Sequence, residues 1–286
     1  MPTPRTHPLR TRLLGAAAAL CLALGLAEIC FRLIPPMGPE FLLAATTGTI
    51  ENAIFRDDVA LRVILAPRVD MSGFHTNAAG IRGPEIGTKR VDEQRVLTIG
   101  DSITLGLAVN DNQTFSAQLS ASLGEAVTVY NAGVPGYGTE QATALLERLF
   151  PTVKPDAVLL TVYTGNDLRD NVRWAESPGL PSVPPPVVSA PPSPRASWLS
   201  SLAKHSRLVA YSLMFLDLSR ASSDFRIQEF KDEILPFTDR DQLSPLMPPT
   251  RAALHRFADV CRTLQVPCGI ALVPPAFVVH TERMER

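Results

Sequence analysis

Three short apolar segments, separated by two segments with helical spacing, constrain the fold of this chain more than any other feature. The apolar segments 95–99, 127–131 and 157–163 are typical of strands buried in a sheet. Between them, residues 114–123 and 140–149 have apolar side chains at the spacing of amphipathic helices. Strands that alternate with helices predict an α/β fold with a parallel, doubly wound sheet.

The same alternation continues after a proline-rich insert. Residues 177–194 contain eight prolines, which excludes a helix or a central strand there and indicates a loop or a semi-rigid spacer. Helical spacing resumes at 198–218, is weaker at 223–235 and is clear at 250–264. Residues 266–273 are a fourth apolar segment, which we expect to be another buried strand.

The N-terminus has the charge pattern of an export signal. Residues 1–12 carry three arginines and no acid, and residues 13–27 carry no charge. Two interpretations remain open. We favour an uncleaved, single-pass membrane anchor over 13–34 with a cytoplasmic basic tail; the alternative is a signal peptide cleaved after Ala27, which would release a secreted protein. Both place the rest of the chain, beginning with a lead-in segment at 35–93, on the extracytoplasmic (periplasmic) side.

Charge and cysteine usage narrow the range of partners. The formal net charge is −1, from 27 basic and 28 acidic residues, so nothing favours a nucleic-acid partner. The four cysteines fall into two pairs without the spacing of a zinc site, and we expect neither a metal nor an organic cofactor. Cys261 and Cys268 are candidates for a disulfide if the domain is exported, and two buried thiols are the alternative.

The first apolar segment ends in a turn that carries candidate chemistry. Gly100-Asp101-Ser102 follows the strand, and residues 103–106 open a helix. Ser102 would then lie at the carboxyl edge of the sheet, near a helix N-terminus that favours a developing oxyanion. The alternative is a serine that only caps the helix. Thr104 excludes the Gly-x-Ser-x-Gly motif, because it stands where the second glycine would be.

Two further strand ends offer a hydrogen-bond donor. Gly133 follows the second strand in a loop with three glycines, and Asn166 follows the third strand. Neighbouring strands of a sheet lie about 4.8 Å apart, so the N–H groups of Ser102 and Gly133 and the Asn166 amide are predicted to converge. Three convergent donors are the geometry of an oxyanion hole. Taken singly, Gly133 and Asn166 are also ordinary turn residues.

The chain resembles the SGNH or GDSL hydrolases in three motif blocks that follow one another in the family's order and spacing. The blocks are Gly100-Asp101-Ser102, Gly133 in Asn131-Ala132-Gly133, and Gly165-Asn166-Asp167. The segment 75–83 is similar to the lead-in of bacterial, membrane-anchored members. The resemblance covers about residues 70–275 and implies a flavodoxin-like three-layer α/β/α fold.

The resemblance also implies an activity. Ser102 would be the nucleophile, and its own N–H, Gly133 and Asn166 would form the oxyanion hole. The substrates would be carboxylic esters, often acetyl groups on sugars or cell-wall polymers. The same machinery serves hydrolysis and acyl transfer, and the sequence leaves both open.

One block that the resemblance implies is missing. It is an Asp-x-x-His near the C-terminus, whose histidine would deprotonate the serine. None of the five histidines has an acid three positions earlier, and only His280, just past the last strand, has a suitable position. We therefore expect the hydrolase-like domain at 94–286 to be C-terminally incomplete. The alternatives are an unusual base, either His280 or a histidine from a partner, and an inactive, membrane-anchored glycan-binding or scaffold module.

Overall fold

The central sheet has four parallel strands, which confirms the predicted α/β class. The computed structural model describes residues 8–33, 54–71, 73–107, 109–176, 202, 205–213 and 240–275. In chain order its strands are β1 (Phe55–Asp58), β2 (Arg62–Leu65), β3 (Asp70–Met71), β4 (Phe74–His75), β5 (Gln94–Gly100), β6 (Val127–Gly133), β7 (Ala157–Tyr163) and β8 (Cys268–Val273). The last four strands form the sheet in the order β6-β5-β7-β8.

Five of the α-helices named here correspond to predicted helices with shifted ends, and two, over residues 167–176 and 240–243, were not predicted. In chain order the helices are α1 (Pro8–Leu33), α2 (Ser102–Leu105), α3 (Phe115–Leu123), α4 (Thr139–Val153), α5 (Asp167–Glu176), α6 (Arg240–Leu243) and α7 (Met247–Leu264). The prediction ended α4 at residue 149, but the helix tolerates Pro151 in its last turn and stops where Lys154 turns left-handed. The prediction started α7 at residue 250, but two prolines fit its first turn.

The register of the sheet brings three strand ends together. Gly100 lies opposite Gly133 across the β5–β6 pair, and Ile99 lies opposite Leu160 across the β5–β7 pair. Leu97 and Ile99 on one face of β5 and Thr98 on the other are all fully buried, as expected for a central strand covered on both faces. The turn after β5 therefore lies between the turn after β6 and the turn after β7.

The lead-in segment packs on the sheet domain through buried side chains. Strands β1 and β2 form an antiparallel pair, and so do β3 and β4. Leu61 and Leu65 are almost completely buried in the same core as the sheet strands. The buried Tyr137 hydroxyl donates to the Val63 carbonyl at 2.5 Å, and Gln141 Nε2 donates to the Leu61 carbonyl at 3.1 Å.

Helix α1 is long and apolar enough, over Thr11–Leu33, to cross a membrane. Its side chains are mostly exposed, and both the anchor and the signal-peptide interpretations fit this helix. The proline-rich insert 177–194, the predicted helix 223–235 and His280 lie outside the described residues, and so does most of the predicted helix 198–218.

A disulfide joins Cys261, near the end of α7, to Cys268, the first residue of β8. Of the two possibilities left open for this pair, the structure contains the bonded one. The predicted strand 266–273 is two residues shorter than expected. The Val266 N–H donates to the Cys261 carbonyl in the turn that ends α7, and Pro267 has no N–H for the sheet.

Candidate active site

The turn after β5 presents Ser102 as the first residue of α2. Gly100 has φ +153°, and a side chain there would overlap Thr104 Oγ1 and lie 2.7 Å from the Thr161 carbonyl oxygen. Asp101 is fully buried and caps the helix, since its Oδ1 accepts from the Ile103 N–H at 2.9 Å. Asp101 therefore serves as the cap, and Ser102, which is half-buried, is not needed for it.

The opposite end of α2 is held by two side chains that the sequence analysis did not single out. Arg82 is 1% exposed and donates to the carbonyls of Leu105 and Gly106, both at 2.8 Å. Asn131 Nδ2 donates to the Thr104 carbonyl at 2.7 Å. These bonds satisfy carbonyl groups that a short helix leaves without partners, and they fix the turn that carries the serine.

Gly133 lies against this turn, but its N–H is already engaged. That N–H donates to Asn131 Oδ1 at 3.0 Å. A side chain at Gly133 would lie 2.8 Å from the Asp101 carbonyl oxygen and would overlap the Leu105 nitrogen. The structure thus gives Gly133 a close-packing role, and its predicted role as an oxyanion donor stays a prediction.

Gly136, three residues further along the same loop, is a second candidate donor. Within the described chain its N–H has no hydrogen-bond partner, and the residue is half-buried. The loop has three glycines, and nothing in the sequence distinguishes which backbone N–H is free. The structure distinguishes the two glycines, because the Gly133 N–H is bonded to Asn131 Oδ1 and the Gly136 N–H is not bonded in the described chain.

Asn166 ends the loop after β7 and is half-buried. Its Nδ2 donates to Asp170 Oδ2 at 2.8 Å, and its buried Oδ1 has no hydrogen-bond partner in the described residues. Asp167 is 2% exposed and accepts from the Tyr163 N–H at 2.9 Å. An amide that is held by one of its two N–H hydrogens keeps the other for a ligand.

No histidine among the described residues hydrogen-bonds to Ser102. His75 Nδ1 lies 2.5 Å from Asp111 Oδ2, and its Nε2 lies 3.0 Å from Asp70 Oδ1. His255 is exposed on α7. The base that the resemblance implies is therefore not found in the described part of the chain, and no group of three or more metal-ligating side chains is found there either.

A cavity of about 530 Å³ lies beside the edge strand β6. Helix α3, β6 and the turn at residues 82–84 line it. Ser102, Gly133 and Asn166 are not among its lining residues, whereas Arg82 and Asn131, which hold α2, are.

Comparison with known proteins confirms the resemblance to the GDSL hydrolases. The model of the GDSL-like Lipase/Acylhydrolase family matches residues 98–286. The chain belongs to this family. Among solved structures it is similar to AlinE4, an SGNH-hydrolase family esterase, with 15% identity over 63% of this chain and 77% of that chain and a TM-score of 0.29. It is also similar to a lipolytic protein of the G-D-S-L family from Desulfitobacterium hafniense DCB-2, with 16% identity over 62% of this chain and 77% of that chain and a TM-score of 0.27. No curated protein matched.

In this GDSL-family chain, three carboxyl groups are buried beneath the strand ends. Burial raises the pKa of Asp101 to about 6, and burial likewise raises the pKa of Asp170 to about 6. Burial and then the charge of Asp101 raise the pKa of Asp167 well above its usual range. Asp101 Oδ2 and Asp167 Oδ1 have no hydrogen-bond partner in the described residues. Ionising these groups therefore costs free energy in the folded chain.

The sign of the resulting pH dependence follows from linkage. Each carboxyl binds its proton more tightly in the folded than in the unfolded chain, where an aspartate has an ordinary pKa of 3.8. Between about pH 4 and pH 6 the folded protein thus holds more protons than the unfolded protein. The contribution of these groups to the free energy of unfolding is largest at the acidic end and falls as the pH rises.

Replacing Asp167 by asparagine is expected to raise the Tm at pH 7.5 by about 2–4 °C, the shift that ~1 kcal/mol produces in a domain of this size. Asparagine keeps an oxygen that can accept from the Tyr163 N–H, and it carries no charge to bury. The difference in Tm should shrink as the pH is lowered to 5. Calorimetry of both proteins at each pH measures it.

The matched control for this prediction is Asp57→Asn, which changes an exposed carboxyl of β1 and should leave the Tm unchanged. The hydrogen bond with Asp111 raises the pKa of His75, so His75 also contributes to the dependence of stability on pH. Comparing variant with wild type at each pH removes that contribution. An Asp167→Asn protein with the same Tm as wild type at pH 7.5, or with an offset independent of pH, would contradict the prediction.

Proposed function

We propose that this chain is an extracytoplasmic serine esterase with Ser102 as its nucleophile. Family membership supports an esterase or acylhydrolase activity. The observation that carries the residue assignment is the position of Ser102, half-buried at the start of α2 and between the ends of β6 and β7. Asp101 caps the helix, so the serine hydroxyl is available for chemistry.

In the proposed reaction, Ser102 Oγ attacks the ester carbonyl and the carbonyl oxygen becomes negatively charged. The Ser102 N–H and the second hydrogen of Asn166 Nδ2 are the proposed donors to that oxygen. A glycine N–H of the loop after β6 is the third. Gly133 would first have to release Asn131, whereas Gly136 can donate without breaking a bond seen in the described chain.

The attack also requires a base to accept the serine proton. His280 remains the positional candidate from the sequence, and it lies outside the described residues. Collapse of the tetrahedral intermediate would expel the alcohol, which takes up the proton held by the base, and would leave the acyl group esterified to Ser102. That acyl group would then pass to water in a hydrolase or to an acceptor hydroxyl in an acyl transferase, which regenerates the Ser102 hydroxyl. The described geometry favours neither acceptor.

The proposed location and substrate rest on two further observations. Disulfides persist in oxidising compartments, and the Cys261–Cys268 bond supports an extracytoplasmic domain. Helix α1 would attach that domain to the membrane, or precede it as a cleaved signal. The proposed substrates are carboxylic esters, O-acetyl groups on sugars or cell-wall polymers among them, as the family resemblance implies.

The test uses the full chain in detergent with p-nitrophenyl esters from acetate to octanoate and with an O-acetylated glycan. We expect turnover that is fastest with acetyl esters, together with a covalent adduct at Ser102 after treatment with a fluorophosphonate, read by peptide mass spectrometry. Glycan binding with neither turnover nor adduct would instead support the binding module. Turnover that is fastest with octanoate would overturn the acetyl preference alone.

A further inference from the structure

The geometry points to Asp170 as a positioning residue that orients the Asn166 carboxamide toward the ester site. Asp170 follows Asn166 by one helical turn, and Asn166 Nδ2 donates to Asp170 Oδ2 at 2.8 Å. The inference rests on the proposed function, in which Asn166 donates to the reacting oxygen. It concerns a residue outside the three motif blocks.

A carboxylate fixes an amide in a way that few other groups can. An ionised carboxylate only accepts hydrogen bonds, so the Asn166 nitrogen, and not its oxygen, must face Asp170. Of the two hydrogens on that nitrogen, one is directed at Asp170 and the other remains for a ligand. A rotation of the amide by half a turn would place Oδ1 against the carboxylate, where the two oxygens repel each other.

Asp170 is itself held in place. It is 5% exposed, and its other oxygen, Oδ1, accepts from Arg173 at 2.9 Å. Arg173 is mostly exposed, and its guanidinium supplies the positive charge that pairs with the buried Asp170 carboxylate. Arg169 adds a second positive charge, whereas Asp101 and Asp167 face the same region with negative charge. Burial raises the pKa of Asp170 to about 6, and the salt bridge with Arg173 limits this rise, so well above that pH the group is ionised and can only accept hydrogen bonds.

An asparagine at position 170 removes this constraint with little change in shape. Its amide can donate as well as accept, so Asn166 can pair with it in either orientation. The backbone bond from the residue 170 N–H to the Asn166 carbonyl does not depend on the side chain and should persist. Asp170→Asn should therefore affect the amide orientation more than the start of α5.

The test measures kcat and KM of the full chain with p-nitrophenyl acetate. Asp170→Asn should lower kcat by about 10- to 100-fold, less than the roughly 10²- to 10³-fold loss seen when an oxyanion donor is removed altogether, and should change KM less than threefold. In the Asn166→Ala protein the carboxamide that Asp170 positions is absent. Adding Asp170→Asn to that protein should therefore change kcat less than threefold relative to Asn166→Ala alone. The control Asp92→Asn, an exposed carboxyl, should match wild type.

A purely structural role would give a different pattern, with a lower Tm and an equal loss of activity in both backgrounds. If Asp170→Asn fails to fold, Arg173→Gln provides the second variant, and kcat should then fall about 3- to 10-fold with KM preserved. Unchanged kcat in either folded variant would overturn the inference and leave the esterase assignment intact. Absence of turnover by the wild-type chain would overturn both.

Discussion

Replacing Ser102 by alanine is expected to lower kcat/KM for ester hydrolysis by about 10³-fold or more, because the substitution removes the atom that forms the acyl intermediate. The fold should survive. Asp101 Oδ1 caps α2 and the bonds from Arg82 hold its far end, and none of these contacts uses the serine hydroxyl. Initial rates with p-nitrophenyl acetate, together with the Tm, measure both expectations.

The matched control for this experiment is Ser122→Ala. Ser122 is an exposed serine on α3 whose hydroxyl donates to the Gln118 carbonyl at 2.8 Å. Its replacement should leave kcat/KM within twofold of wild type. Equal rates for Ser102→Ala and wild type would exclude Ser102 as the nucleophile. If Ser102→Ala keeps some activity but forms no fluorophosphonate adduct, the remaining hydrolysis does not pass through an acyl ester on the enzyme.

The sheet could be predicted because strand and helix patterns are local. Residues 157–163 form an apolar run between a proline and a glycine-containing turn, and β7 has the same bounds as that run. Other ends moved by a few residues because they depend on capping. The end of α4 is set by Lys154 in a left-handed conformation, and the start of β8 by a turn that closes on Cys261.

The candidate site could be predicted only as far as its backbone positions. Ser102, Gly133 and Asn166 were placed at three strand ends by chain order, and the sheet order puts the serine in the middle. The side chains that hold these positions come from distant sequence. Arg82 contacts α2 across more than 20 residues, and an arginine in a polar loop has no pattern that signals complete burial.

The two glycines illustrate a second limit. A sequence shows that the loop after β6 can bend, but it does not show which N–H is free. Asn131 decides this, since its Oδ1 accepts from Gly133 while its Nδ2 donates to α2. One amide therefore joins the end of β6 to the serine turn, and this pairing depends on the register of β5 and β6.

Arg82 provides the second large effect that we expect. Arg82→Met should lower the free energy of unfolding by about 3–5 kcal/mol, the range found when one partner of a buried ion pair is removed. The guanidinium donates to four carbonyls and to Asp111 Oδ1, the latter at 2.6 Å, and it lies over the Phe74 ring. Methionine fills the volume but donates to none of these oxygens.

Such a loss is a large part of the stability of a typical domain, which is about 5–15 kcal/mol. Urea unfolding followed by circular dichroism measures it, with Arg90→Met as the control. Arg90 is mostly exposed and lies 3.7 Å from Asp92, so its replacement should change stability by less than about 0.5 kcal/mol.

Arg82→Lys keeps the charge but reaches fewer carbonyls, and its stability should lie between wild type and Arg82→Met. The carbonyl groups at the end of α2 would lose their hydrogen-bond donor in Arg82→Met. The folded fraction of this variant should therefore also hydrolyse esters more slowly than wild type. A loss below about 1 kcal/mol with unchanged kcat would mean that water replaces the guanidinium, and that Arg82 does not hold the serine turn.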